Sequence, residues 1–171
     1  MKPIRDFPLV AALLAALLVP FAAPSAARAQ ELVLGLGYTS YSDEHTRDAP
    51  LLTLDYNFRP FHSQGRFEIG WGAALEIDTR GDAFAGAGLV LTQGLGDQWF
   101  VNASVMPGLY RHAGSYNDLG STFEIRSLVG IGYRLYDGSS IALALSHKSN
   151  ASTASRNPGM NALTLRWHKP F

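Results

Sequence analysis

Residues 66–78 read RFEIGWGAALEID, and the fold turns on how they alternate. Phe67, Ile69, Trp71, Ala73, Leu75 and Ile77 fall on one parity. Glu68, Gly70, Gly72, Ala74, Glu76 and Asp78 fall on the other. Successive side chains of a strand point to opposite faces, so this segment forms a strand with one apolar face and one polar or small face. Residues 121–135, STFEIRSLVGIGYRL, repeat the pattern. Phe123, Ile125, Val129, Ile131, Tyr133 and Leu135 alternate with Glu124, Arg126, Gly130, Gly132 and Arg134.

Working outward, eight such segments are expected, at roughly 31–39, 50–58, 66–77, 82–92, 97–107, 121–135, 139–149 and 161–171. They are long for strands of a globular domain and match a tilted crossing of a bilayer. The connections differ in kind. YDGSS (136–140) carries the Asp137-Gly138 hairpin signal and GLGD (94–97) is equally short, whereas 40–49, 108–120 and 150–160 are longer and polar. TRGD (79–82) is the short exception on the long side. Short turns at one end and long loops at the other are the pattern of an outer-membrane barrel. The expected fold is therefore all-β, an eight-stranded antiparallel transmembrane β-barrel.

Charge decides which face meets lipid. The polar parity carries Asp55, Glu68, Glu76, Glu124, Arg126, Arg134 and Arg166. Charges on a lipid-facing band cost up to a few kcal/mol each, so this parity points into the lumen, where glycines leave room for ion pairs. A soluble barrel with the faces reversed would carry many surface lysines, yet residues 30–171 hold only Lys148 and Lys169. Leu163, Leu165, Trp167 and the terminal Phe171 share one parity, like the C-terminal strand signal of outer-membrane barrels. Trp71, Trp99 and Trp167 fall on the outward parity, as belt residues would.

The N-terminus reads as a separate segment. Lys2 and Arg5 precede an uncharged apolar run from Leu9 to Val19, and Ala27-Arg28-Ala29 has the small-x-small form of a cleavage site. Residues 1–29 are expected to be a cleaved signal peptide, and residues 30–171 the outer-membrane barrel domain. The barrel segment then carries eleven basic against thirteen acidic side chains, a net charge of −2. This lacks the basic excess of a nucleic-acid binder. There is no cysteine, so the exported domain relies on its core or its membrane.

With both chain ends in the periplasm, the 150–160 loop is extracellular. His147 and Ser149 then stand at the outer rim on the lipid-facing parity of one strand, and Asn161 on the same parity of the next. Same-face neighbours across an antiparallel pair have Cβ atoms roughly 4.5–5.5 Å apart. A serine, an imidazole to take its proton and a group to orient the imidazole form a nucleophilic constellation. An outward site at this rim would meet the ester bonds of an outer-leaflet lipid directly. Spacing alone does not separate this from interfacial polar residues at a strand end, because His-x-Ser is short and common. Glu124, on the inward parity beside Arg126, reads with it as lumen packing. His45, His62 and His112 lie in loops without metal-like spacing. Arg47, Arg80, Arg111 and Arg156 lie near the outer loops, where guanidinium groups can bind phosphates.

HKSNA (147–151), NPGMN (157–161), the 121–135 strand and the terminal Pro-Phe together resemble the lipid A 3-O-deacylase (PagL) family, most closely over residues 107–171. The resemblance implies an eight-stranded outer-membrane barrel. It also implies an esterase that releases a 3-hydroxy fatty acid from the 3-position of lipid A, without metal or other cofactor. By that resemblance Ser149 is the nucleophile and His147 the base, with Asn150 and Asn157 as oxyanion-hole candidates. The implied partners are lipid A (lipopolysaccharide) and outer-membrane lipids. Oligomeric state is left open, a homodimer among the options. One departure stands out: the family's pattern places a glutamate where this chain has Asn161. An amide still accepts a hydrogen bond from an imidazole but supplies no charge. A catalytically silent structural barrel of the same fold is the alternative. A pore is poorly supported, because eight strands leave an interior just wide enough for side chains.

Overall fold

The computed structural model describes residues 30–42 and 46–171. The expected signal peptide lies outside the described residues, as do Asp43, Glu44 and His45. Nine strands follow in chain order: β1 (Glu31–Tyr41), β2 (Pro50–Asn57), β3 (His62–Gln64), β4 (Phe67–Asp78), β5 (Ala83–Gly94), β6 (Trp99–Arg111), β7 (Phe123–Arg134), β8 (Ser140–Ser149) and β9 (Met160–Pro170). All pairings are antiparallel. The sheet runs β2-β1-β9-β8-β7-β6-β5-β4, and β2 pairs with β4 to close the ring. Eight strands thus form a closed barrel, as the alternation predicts.

The ninth strand is new. β3 spans three exposed residues and pairs only with the start of β4, below the barrel wall. It has too few residues to show a periodicity. It exists because Gly65, at φ 61°, reverses the chain onto β4. β5 and β6 also run further than their expected ends, to Gly94 and Arg111, which shortens the loop after β6. At the end of the barrel that holds Glu31 and Pro170, the tight turn forms as Asp137-Gly138 suggests. Leu135 N–H donates to Ser139 O at 2.8 Å, and Gly138 adopts φ 81°. The Ser139 hydroxyl and N–H both donate to Asp137 Oδ1, at 2.6 and 3.0 Å, and hold that carboxyl below its ordinary range.

The two parities separate as charge requires. Leu36 is 69 % exposed on the outer face, whereas Glu124 and Arg126 are fully enclosed by the barrel. Bulky lumen side chains need small neighbours. A Cβ on Gly132 would sit 2.3 Å from the Phe100 ring, so only glycine fits there. Mid-lumen, Arg126 donates to Asp55 Oδ1 and Oδ2 at 3.1 and 2.8 Å and to Glu76 Oε1 at 3.0 Å. Arg166 joins at Asp55, and Lys148 at Glu76. The Arg126–Glu124 pair expected from their shared strand does not form. Those residues stand about 6.8 Å apart along β7, while the carboxylates of β2 and β4 reach Arg126 across the narrow lumen. Among the described residues neither carboxylate oxygen of Glu124 has a hydrogen-bond partner.

Removing one member of such a buried network leaves uncompensated charge. Asp55→Ala is expected to destabilise the barrel by about 3–5 kcal/mol, because Arg166 and part of Arg126 lose their anion. Urea unfolding of the refolded protein in lipid vesicles measures it. An unchanged midpoint would show that the network adds nothing.

The opposite mouth, under the longer loops, is closed by apolar packing and by loop. Leu51, Phe84, Tyr110, Leu119, Met160 and Ala162 form one buried cluster. Asn117, in the loop after β6, donates through Nδ2 to Asp82 at 2.6 Å and accepts Arg47 N–H at 2.8 Å, while Tyr110 OH donates to Asn117 O at 2.9 Å. This pins the 112–122 loop against the rim on which the β8–β9 loop rests.

Candidate functional site

β8 ends at Ser149 and β9 starts at Met160. Parity sends Ala142, Ala144, Ser146 and Lys148 inward, all buried, and leaves His147 exposed on the outer face. The Lys148 contact with Glu76 anchors the strand from inside, at the residue between His147 and Ser149. His147 and Asn161 are direct partners across the β8–β9 ladder. The imidazole Nδ1 meets Asn161 Oδ1 at 2.9 Å. With Oδ1 accepting from Nδ1–H, the other ring nitrogen, Nε2, is left with its lone pair free to take a proton.

Gly159 floors the imidazole. Its φ is +72°, and a Cβ there would sit 3.1 Å from His147 Cε1 and 3.7 Å from Nε2. A glycine is needed for both reasons, the left-handed backbone and the close approach. Ser149 lies half-buried two residues beyond His147 on the same face, paired with Ile125 of β7. Among the described residues no hydrogen bond joins Ser149 to His147. They are adjacent members of one strand face, about 6.8 Å apart at Cα.

Asn150 is fully buried and organises the loop. Its Nδ2 donates to Leu119 O at 3.1 Å and Arg156 O at 2.7 Å. Its Oδ1 accepts Ser152 N–H at 3.0 Å, and its carbonyl accepts Thr153 N–H and the Thr153 hydroxyl at 3.0 and 2.7 Å. Asn157 Oδ1 accepts Asn150 N–H at 3.0 Å, so the two asparagines clamp the loop together. Beyond Asn150, Ala151 and Ser152 take φ 52° and 61°, a left-handed turn made by two non-glycine residues. Such backbone costs on the order of 1–3 kcal/mol and persists because Asn150 over-determines it.

The other singled-out residues are tied elsewhere. The Arg47 guanidinium stacks on Tyr116 at 4.0 Å, Arg80 donates to Asp48 O at 3.2 Å, and Arg156 faces Asp118 at 3.6 Å. His112 Nδ1 meets Gly114 O at 2.6 Å. Trp71, Trp99 and Trp167 all stand exposed on the outer face.

Sequence reasoning missed two side chains beside the site. Ser40 of β1 is the ladder partner of Asn161, and Ser127 of β7 is the partner of His147. The row Ser40–Asn161–His147–Ser127 crosses four strands on the outer face, with Tyr38, Leu163, Leu145 and Val129 exposed just below it. Parity alone marks each as outward. Only the register puts them in one row.

Three solved structures share the architecture. The crystal structure of the outer membrane enzyme PagL superposes with a TM-score of 0.63 at 18 % identity, covering 82 % of this chain and 99 % of that one. A de novo designed transmembrane β-barrel gives 0.58 at 7 % identity, covering 87 % and 100 %. Neisserial surface protein A gives 0.57 at 8 % identity, again covering 87 % and 100 %. At these identities the likeness is one of fold, that of an outer-membrane barrel. No curated protein matches the sequence. The family model described as lipid A 3-O-deacylase (PagL) matches residues 78–170, more than half of the chain and the part that holds β5 to β9 with their loops. Fold and family model agree, and the chain belongs to the lipid A 3-O-deacylase (PagL) family of outer-membrane barrels.

Proposed function

We propose that this protein is an outer-membrane esterase that hydrolyses the 3-O-linked acyl chain of lipid A at the outer rim of the barrel. Membership of the PagL family supports the lipid A 3-O-deacylase role. The observation that carries the mechanism is the His147 Nδ1–Asn161 Oδ1 bond on the lipid face, two residues from Ser149 along β8. In this reading Ser149 Oγ attacks the ester carbonyl carbon while His147 Nε2 takes the hydroxyl proton. The bond from the carbonyl to the sugar 3-oxygen then breaks, and that oxygen receives the proton from His147. Water, deprotonated in turn by His147, attacks the acyl carbon; the acyl–Oγ bond breaks, Ser149 Oγ takes the proton back from His147, and the fatty acid leaves.

The oxyanion needs donors beside Ser149. The Asn150 amide spends its hydrogens on Leu119 O and Arg156 O, so its part is to hold the turn. Among the described residues, Asn157 Nδ2 and the Ala151 backbone N–H make no hydrogen bond, and both follow Ser149 in the same loop, which makes them the oxyanion donors of this reading. No step uses a metal ion.

The test is mass spectrometry of lipid A from a Gram-negative host with and without the protein. Loss of one 3-hydroxy fatty acid is expected. Unchanged lipid A from a host that displays folded barrel would overturn the assignment. Gly159→Ala offers a second check. The left-handed φ and the crowded imidazole should together lower kcat about tenfold and stability by about 1–2 kcal/mol. Wild-type turnover in that variant would mean that the imidazole does not use the position seen against Gly159.

A further inference from the structure

We propose that Gly120, in the loop after β6, is a positioning residue that seats the β8–β9 loop and so sets the backbone around Ser149, a role that rests on the reading of Ser149 as nucleophile. Gly120 has φ +86°, and a Cβ there would stand 2.3 Å from Arg156 O and 3.0 Å from Arg156 Cβ. Arg156 O is backbone and cannot swing aside, so only glycine lets the two loops lie this close. The same Arg156 O accepts from Asn150 Nδ2 at 2.7 Å. The second hydrogen of that amide goes to Leu119 O, on the residue before Gly120, at 3.1 Å. Leu119 and Gly120 thus hold Asn150 together: one supplies an acceptor, and the other leaves room for the second.

The seat is fixed to the barrel. Leu119 is fully buried in the apolar cluster at the mouth. Asn117 is bonded to Asp82, Arg47 and Tyr110. Gly120 N–H donates to Asp118 Oδ1 at 2.8 Å, and Asp118 Oδ2 faces Arg156 Nη1 at 3.6 Å.

The loop that rests on this seat touches the site at both ends. It leaves β8 at Ser149 and returns through Gly159, against which the His147 ring lies. Between them Asn150 holds the left-handed pair Ala151 and Ser152, its Oδ1 accepting Ser152 N–H and its carbonyl accepting Thr153 N–H. A Cβ at position 120 would push Arg156 O outward, and Asn150 could no longer reach both acceptors. The strained turn would then relax and carry Ser149 away from the imidazole. A misplacement of about 1 Å can cost on the order of 100-fold in rate.

The test compares Gly120→Ala with Gly138→Ala. Gly138 has nearly the same φ, +81°, with nothing within 4 Å of its Cβ position, and it lies in the turn at the other end of the barrel. It controls for backbone strain without the clash. Gly120→Asn does the converse, because asparagine tolerates left-handed backbone but keeps the Cβ. In detergent micelles, hydrogen exchange at the Ser152 and Thr153 amides should quicken at least about tenfold in both Gly120 variants and stay native in Gly138→Ala. This arm reads without turnover, so it decides the seat even if lipid A deacylation fails. In the deacylation assay both Gly120 variants should lower kcat about 10-fold to 100-fold, whereas Gly138→Ala keeps it. Asn150→Asp still accepts Ser152 N–H but cannot donate to Leu119 O or Arg156 O, so it breaks the same link from the other side. In that background Gly120→Ala should add less than about twofold. Native exchange or native kcat in the Gly120 variants, or losses that multiply in the double variant, would overturn the proposal.

Discussion

Ser149→Ala should lower fatty-acid release from lipid A by at least about 10³-fold. Removing a nucleophile from a serine hydrolase leaves only the contributions of binding and oxyanion stabilisation. The barrel should survive the change. Ser149 is half-buried at a strand end, and among the described residues its hydroxyl makes no hydrogen bond. Heat-dependent gel mobility of the refolded protein checks this. The proper control is Ser127→Ala. Ser127 lies directly across the ladder from His147 and is the other hydroxyl that could reach the imidazole. It should keep near-native turnover. If Ser127→Ala lost activity and Ser149→Ala kept it, Ser127 would be the nucleophile instead.

Asn161→Glu should raise kcat, by about 10-fold to 100-fold. The reverse change in a Ser-His-Asp enzyme costs roughly 10⁴, partly because the amide enforces the wrong tautomer. The gain here is set lower, because Asn161 already accepts from His147 Nδ1 at 2.9 Å. What the amide lacks is charge to stabilise the imidazolium that forms in the transition state. The exposed, rim-level position tolerates a carboxylate, since acidic groups near the interface cost little. Single-turnover release of fatty acid from lipopolysaccharide in detergent measures the change. A fall below native activity would mean that the site around Asn161 is built for an amide.

The fold was largely legible in the sequence because a membrane barrel obeys few rules. Each strand must keep one face apolar and must be long enough to cross. The alternation at 66–78 and 121–135 meets both conditions, and the seven charges on the opposite parity leave one direction for the polar face. What alternation cannot carry is a three-residue strand such as β3, which owes its place to backbone pairing with β4 rather than to side-chain pattern. Nor can it carry partners within the lumen. Arg126 and Glu124 share a strand face, yet Arg126 turns to Asp55 and Glu76 because the closed barrel brings β2 and β4 opposite β7.

The candidate site divides in the same way. His147, Ser149 and Asn161 were readable together because parity and neighbouring strands suffice to place them on one face. Asn150 was readable only as the residue after the serine. Its buried bonds to Leu119 and Arg156 come from two loops that meet over the rim, and loop contacts leave no periodic trace. By itself, then, the sequence determined the strands, their inward and outward faces and the polar residues at the outer rim, because these follow from local chemistry and a period of two. The tertiary structure alone decided the register that aligns Ser40, Asn161, His147 and Ser127, the glycine floor under the imidazole and the loop clamp at Asn150. Those depend on closure of the ring, where pairing of β1 with β9 joins residues from opposite ends of the chain.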